Sequence, residues 1–288
     1  MPATPSSGNT PAFPHGPVVM LASGPSHTTL RQGLYESAIA DAWVSMLGNA
    51  GLPVVKIDAE ASWLSANQPR RYPSFALTGA GEGDHLAAAD EVARVWAPAI
   101  ESMFTAIEAT VQRTLGISLS GVLVPFLERV MGFVAQRTAA RRWLEQVKPS
   151  AVFLLCYYET CYLPIISAAR ALGIPTVDLQ HGMNGTMHAA YTHFTALPPS
   201  GYDVLPDWFI TWGQHSSENI TRWWSSPTRH RVVVGGRWDL DPTSPLSTGE
   251  VISAITERAS RSSHRVVITM QDEPFAKELL DAMAAAPS

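Results

Sequence analysis

The sequence is poor in charge. Ionisable Asp, Glu, Lys and Arg make up 16% of its 288 residues, well under the roughly 25% of an average soluble domain. Acids outnumber bases, 25 to 20, for a formal net charge of −5. With a pI near 6.0 there is no basic excess to neutralise phosphates along a polymer, which excludes a general nucleic-acid binder. Cysteine is scarce as well. Cys156 and Cys161 are the only two, which rules out a disulfide scaffold or a four-thiolate zinc site. Beside an apolar run they read as buried thiols of a reducing compartment. No stretch reaches the ~20 apolar residues that cross a bilayer. Residues 1–17 are rich in Pro, Ser, Gly and Thr, with no basic start followed by an apolar segment. They read as a disordered leader without a secretory signal, and the expected location is cytoplasmic.

Several chemical signatures are missing too. Neither the G-x-G-x-x-G dinucleotide fingerprint nor the G-x-x-x-x-G-K-[ST] phosphate loop occurs. Without a G-x-S-x-G elbow an α/β-hydrolase is excluded. Without H-E-x-x-H or a Cys/His pattern, no metal is expected.

What is present is apolar and alternating. Hydrophobic residues account for 46%, enough for a sizeable core, and the length suits about two domains of ~150 residues. The pattern predicts strands at 18–22, 54–58, 151–156, 176–179, 208–212, 231–234 and 265–270. Helices are predicted at 28–49, 161–172, 216–224, 249–260 and 274–286. The first of these rests on Leu34, Ile39, Ala42, Trp43 and Met46 at mostly three- and four-residue spacing. Residues 61–84 read as loop. Two long helices follow at about 85–115 and 120–147, the first opening on Asp84 as N-cap. Strand and helix in alternation define an α/β fold with a Rossmann-like parallel sheet. The expected organisation is one such domain over 18–228 with a helical insertion at 85–147, then the start of a second domain at 229–288.

Ligands of open parallel sheets bind beyond the carboxyl ends of the strands, so the strand exits are where chemistry is sought. Gly24, Ser26 and His27 follow the first strand and offer either close backbone approach to an anion or an ordinary cap and turn. Glu159 lies past strand 151–156, as a general base or as the first-turn acid of the next helix. Gln180, His181 and Gly182 directly follow strand 176–179. Histidine there serves as a base or, protonated, holds a phosphate, and Gly182 suits a sharp turn or backbone contact with a ligand. Gly235, Gly236 and Arg237 leave a run of three valines, and Gln271 leaves the last strand; a guanidinium there suits a phosphate. Trp208, Trp212, Trp223, Trp224 and Trp238 crowd the second half, as sugar-stacking faces or core filling. Arg137, Arg141, Arg142 and Lys148 make the end of the second long helix basic, as a lipid-facing patch or a solvated face.

Residues 174–182, 205–213, 232–236 with Asp239, and 267–271 occur in an order and spacing that carry a resemblance. The chain resembles bacterial surface-carbohydrate and capsular-polysaccharide biosynthesis proteins of the GT-B glycosyltransferase fold, over residues 150–288 and loosely over the first strand–helix–strand unit. The resemblance implies two Rossmann-like domains facing a cleft, the first binding acceptor and the second binding a nucleotide-sugar as co-substrate, without a metal or cofactor. It implies transfer of a sugar to a glycan or lipid-linked acceptor; the basic helix end is where peripheral contact at the inner face of a membrane is expected. His181 or Glu159 would deprotonate the acceptor hydroxyl. Arg237 and glycine amides would meet the departing phosphate, with Gly236 and Gln271 on donor-side strand exits. One helix follows residue 271, so the second domain is expected to be incomplete. The other readings are a sugar-nucleotide epimerase of the same fold and a non-catalytic partner that binds glycan or another synthase subunit.

Overall fold

A computed structural model describes residues 16–22, 29–31, 33–58, 69–77, 79–194, 197–223, 229–237 and 257. The chain divides into two compact units, Met1–Leu246 and Ser247–Ser288. Apart from Glu257, the described residues belong to the first. Gly24, Ser26, His27, Trp224, Trp238, Asp239 and Gln271 lie outside the described residues, as do the strand and, but for Glu257, the two helices expected beyond 248.

In chain order the elements are β1 (Gly16–Ala22), β2 (Thr29–Arg31), β3 (Leu34–Glu36), α1 (Ala40–Asn49), β4 (Val54–Asp58) and β5 (Ser74–Ala76). Helix α2 (Glu82–Glu91) passes through one π turn, Val92–Trp96, into α3 (Ala97–Leu115). Then come α4 (Leu123–Val147), β6 (Pro149–Leu155), α5 (Leu163–Ala171), β7 (Thr176–Leu179), β8 (Trp208–Thr211), α6 (Gln214–Thr221) and β9 (Arg231–Val234).

Seven strands form one sheet in the order β5-β4-β1-β6-β7-β8-β9, every pair parallel. The chain winds outward from β1 through β4 to β5, returns to the other side of β1 as β6, and winds outward again. This is the Rossmann-like pattern, and its switch point lies between β1 and β6. Strands covered on both faces read as continuous apolar runs because each alternate side chain has a core to enter. Val19 and Leu21 pack with Leu144 of α4 and with Ile165 and Ile166 of α5. Val18 and Met20, facing the other way, pack with Trp43, Val44 and Leu47 of α1.

Four expectations change. The helix foreseen from residue 28 starts at Ala40, because β2 and β3 form an antiparallel hairpin before it, turned by Gly33 in left-handed backbone (φ +77). A three-residue edge strand, β5, lies in the expected loop. The residue capping α2 is Gly81, and Asp84 sits at the third helical position, accepting the Gly81 N–H at 2.9 Å. Strand β9, assigned above to a second domain beginning at 229, is the seventh strand of the first sheet, paired from Arg231 to Val234 with β8. Its parallel partner, not its own apolar run, decides where it belongs.

The long helices are also more integrated than an insertion. Val134, Ala135, Ala139, Ala140 and Leu144 of α4 are buried, so its carboxyl half is the crossover helix leading into β6. Three of the four basic residues at that end, all but Lys148, are paired with acids. Arg137 pairs with Glu91, Arg141 with Glu145 and Arg142 with Asp84, at 3.4, 2.9 and 2.5 Å. The Arg142 guanidinium holds the Asp84 carboxyl down at about 2. A patch so neutralised offers little to a lipid headgroup. Helix α3, in contrast, has no buried residue. Among the described residues no helix is long and apolar enough to cross a membrane.

Candidate functional site

The site is built on the carboxyl ends of β6 and β7, which are adjacent in the sheet with Leu155 opposite Leu179. Beyond Leu155 the chain turns at Cys156, a non-glycine residue in left-handed backbone (φ 67). Cys156 and Cys161 are both half-buried, and burial pushes the Cys156 thiol up to about 11. The turn delivers Tyr157 inward and Tyr158 toward the exit of β7.

Asp178, a carboxylate inside a buried strand, organises the floor. Its Oδ1 accepts the Tyr157 N–H at 2.9 Å and its Oδ2 accepts the Tyr191 hydroxyl at 2.8 Å. Burial raises this carboxyl to about 7 despite those two bonds, which favour the ionised form. The Tyr157 hydroxyl donates to the Ala190 carbonyl. The rings of Tyr157, Tyr191 and Phe209 meet edge to face at 5.5 to 6.0 Å, a favoured aromatic geometry. The segment between β7 and β8 is thereby nailed to the sheet through the fully buried Tyr191.

Above this floor the Tyr158 hydroxyl stands 3.2 Å from Nε2 of His181 and 3.4 Å from Nε2 of His188. The Cys156 thiol is a further hydrogen-bonding neighbour of this hydroxyl, and the imidazole tautomers set which partner takes the single phenol proton. Neither ring's Nδ1 has a hydrogen-bond partner. Burial lowers the pKa of His181, the neighbouring His188 lowers it further, and the Leu179 carbonyl pulls the other way. Burial also holds the Tyr158 phenol well above its ordinary range. At neutral pH His181 is therefore an uncharged imidazole beside a protonated phenol, able to accept a proton.

The other expected site residues fall into distinct places. Gln180 is buried and its amide is used within the protein. Its Oε1 accepts the Trp212 N–H at 2.7 Å, and its Nε2 donates to the Gly182 carbonyl at 2.7 Å and to Ser216 Oγ at 3.2 Å. It braces the exits of β7 and β8 and the first turn of α6, and so positions His181. A Cβ at Gly182 would meet nothing within 4 Å, so no tight packing demands glycine there. Glu159 lies in the turn before α5, its carbonyl accepting the Tyr162 N–H at 2.9 Å and its carboxylate facing the Cys161 thiol at 3.8 Å. The side chain placed against His181 is Tyr158, a residue the sequence offered no reason to choose over Glu159.

At the exit of β9, the N–H groups of Gly235 and Gly236 both point to the Thr211 carbonyl, at 2.9 and 3.2 Å. These amides are thus engaged in the sheet and do not present a phosphate cradle. Gly235 is required by packing, since a Cβ there would lie 2.3 Å from Ile210 Cγ2, and Gly236 by its φ of +80. The guanidinium of Arg237 stacks 4.4 Å over the Trp212 ring, a cation–π arrangement that brings a positive charge to the strand exits. At the exit of β4, where dinucleotide-binding sheets hold a ribose with an acid, Asp58 is taken up by Arg70 and Ser74.

Larger cavities lie elsewhere among the described residues, one of about 740 Å³ lined by Leu144, Glu145, Lys148 and Ile174. Another, of about 500 Å³ and lined by Arg170, Asp207, Trp208, Arg229 and Arg231, opens at the amino ends of β7 to β9. Two of its three arginines are ion-paired, Arg170 with Asp203 at 2.9 Å and Arg229 with Asp207 at 2.7 Å, and the third, Arg231, lies 5.2 Å over the Trp208 ring. The strand exits hold the buried titratable cluster and remain the better candidate on chemistry. Among the described residues no group of three or more His, Cys, Asp or Glu is placed to hold a metal ion.

No protein-family model matches the chain, and no curated protein sequence does. Solved structures similar to it include UDP-N-acetylglucosamine 2-epimerase from Rickettsia bellii, at 13% identity and a TM-score of 0.37, covering 95% of this chain and 52% of that one. Another is MurG of Acinetobacter baumannii, at 13% and 0.37, covering 94% and 64%. A third is UGT2 of Phytolacca americana, solved with UDP-2fluoro-glucose and pterostilbene, at 11% and 0.35, covering 77% and 54%. This chain spans between about half and two thirds of the length of those proteins.

Proposed function

We propose that the chain is a GT-B-type glycosyltransferase whose described unit forms the acceptor side. It moves a sugar from a nucleotide-sugar to a glycan or lipid-linked acceptor in the assembly of bacterial surface polysaccharide. The observation that carries this reading is the uncharged His181 at the exit of β7, held by Tyr158 beside the switch point of the sheet. An acceptor hydroxyl set against His181 loses its proton to the imidazole as its oxygen attacks the anomeric carbon of the donor sugar. The bond from that carbon to the nucleoside diphosphate breaks, and the diphosphate leaves with the electron pair. The Tyr158 hydroxyl, free to rotate, turns its oxygen toward the imidazolium so formed. Arg237, at the exit of β9, offers charge to the departing diphosphate.

The test is release of nucleoside diphosphate from a panel of nucleotide-sugars, with and without glycan and lipid-linked acceptors. Acceptor-dependent release supports the proposal. Conversion of the donor sugar without acceptor indicates an epimerase instead, and failure to bind any nucleoside diphosphate by calorimetry indicates a non-catalytic partner.

A further inference from the structure

Three arginines meet at the end of the sheet remote from His181. The cavity of about 500 Å³ at the amino ends of β7 to β9 is lined by Arg170, Arg229 and Arg231, and by Asp207, Ile174 and Pro175. Two of these arginines stand on either side of His230 in the sequence. The His230 ring is fully buried and bonded at both nitrogens, to the Pro206 carbonyl and to the Tyr202 N–H. Its backbone is left-handed, at φ 62, a conformation that a β-carbon disfavours. The clamped ring fixes the course of the chain on both sides of it, and both neighbouring arginines face the cavity.

The charges of this cavity do not cancel. Arg170 is fully engaged: its Nε pairs with Asp203 at 2.9 Å, and its Nη groups donate to the carbonyls of Tyr202 and Ser200 at 3.2 and 3.1 Å. Asp207 is engaged at both oxygens. Its Oδ2 accepts the Thr176 N–H and hydroxyl at 2.9 and 3.0 Å, which ties the start of β7 to that of β8. Its Oδ1 accepts Arg229 Nε at 2.7 Å. Among the described residues the Nη groups of Arg229 meet no acceptor, and Arg231 has only the Trp208 ring, 5.2 Å from its Cζ. With the two ion pairs counted, one positive charge and the N–H donors of two guanidinium groups are left over.

Guanidinium donors lie in one plane and match pairs of anionic oxygens. A carboxylate offers a single pair. A phosphate monoester offers three oxygens, enough for two arginines at once, with a charge of about −1.5 to −2. The apolar wall of Ile174 and Pro175 beside these donors suits an organic body, as in most small-molecule sites. We propose that this cavity binds a small organic phosphate, its phosphate held by Arg229 and Arg231 and its body resting on Ile174 and Pro175. The length of β7 separates Pro175 from Gln180 and His181. The site is therefore distinct from the candidate catalytic one, and its test succeeds or fails apart from the transferase reading.

The probe is phenyl phosphate, which carries a phosphate and an apolar ring but neither sugar nor nucleoside. The test is calorimetric titration of the full chain at about pH 7.5, above the second phosphate pKa of ~6. The expected result is saturable binding at one site that weakens as salt rises. Inorganic phosphate should bind about tenfold or more weakly for want of the apolar contact, and phenol should not bind. Arg231→Gln should weaken phenyl phosphate about tenfold or more, at an unchanged melting temperature because the side chain is exposed. Arg113→Gln, which removes an equal charge from the exposed surface of α3, should bind as wild type does. Absence of binding by wild type overturns the proposal, as does binding that Arg231→Gln leaves intact or that Arg113→Gln weakens equally. Inorganic phosphate binding as tightly as phenyl phosphate would assign the cavity to the free ion and overturn the organic ligand.

Discussion

The Tyr158 hydroxyl lies 3.2 Å from Nε2 of His181, one exit residue of β6 reaching one exit residue of β7. The contact needs both strands in register and the left-handed turn at Cys156. Replacing Tyr158 by Phe keeps the ring contacts and removes only the hydroxyl, leaving His181 Nε2 without that partner. The expected outcome is a loss of about 1–3 kcal/mol in stability and a drop in acceptor-dependent turnover of about tenfold or more, the low end for a disturbed general base. Chemical denaturation and rate measurements on the same preparation check both.

The pH profile of turnover follows from the sign of the His181 shift. The neutral imidazole is the active form, and burial lowers its pKa from the ordinary 6.5. As pH falls, activity should therefore persist through 6.5 and decline only below it. A profile of kcat/KM against pH whose acid limb lies above 6.5 would place the base elsewhere.

Asp178 makes stability depend on pH in the opposite sense to a salt-bridged carboxylate. Its folded pKa of about 7 stands above the ordinary 3.8, so its ionised form is disfavoured in the fold. Its contribution is greatest below 3.8 and is lost as pH rises through 7. Asp178→Asn removes that loss, so the variant should gain stability relative to wild type between pH 5 and pH 8. Melting temperatures of the two proteins across that range provide the check.

Gly201 and His230 form a packing pair that glycine alone permits. His230 is fully buried, with Nδ1 donating to the Pro206 carbonyl at 2.6 Å and Nε2 accepting the Tyr202 N–H at 3.0 Å. A Cβ on Gly201 would lie 2.0 Å from that Nε2, on backbone already left-handed at φ +69. Gly201→Ala should cost about 2–4 kcal/mol. Gly173→Ala, at φ +70 with nothing within 4 Å, should cost only the ~1–2 kcal/mol of the backbone conformation. The difference between the two in urea denaturation isolates the clash.

Much of the fold was legible because buried parallel strands announce themselves. The apolar runs Val18–Ala22 of β1 and Ala151–Leu155 of β6 have no polar residue to interrupt them, and β4 and β8 stay mostly apolar around Lys56, Asp58 and Thr211. Pairing was not legible. Nothing in Arg231–Val234 says that its neighbour is β8, so a domain boundary was drawn where the sheet continues. The β2–β3 hairpin hid behind Leu34, Ile39 and Trp43, whose spacing mimics a helix. At the site, polar residues directly after an apolar strand pointed to Gln180, His181 and Gly182. Their division of labour, Gln180 as brace and His181 as titratable group, depends on contacts with Trp212, Ser216 and Tyr158 more than 20 residues away in sequence. Asp178 did carry a readable signal, a carboxylate inside an otherwise apolar strand.

In the proposed reaction His181 takes a proton from an acceptor hydroxyl. The most direct test of this step compares wild type with His181→Ala in acceptor-dependent release of nucleoside diphosphate, with circular dichroism confirming that both are folded. The expected result is turnover by wild type and a loss of about 10²–10⁴-fold in the variant. Equal rates in the two folded proteins would contradict it.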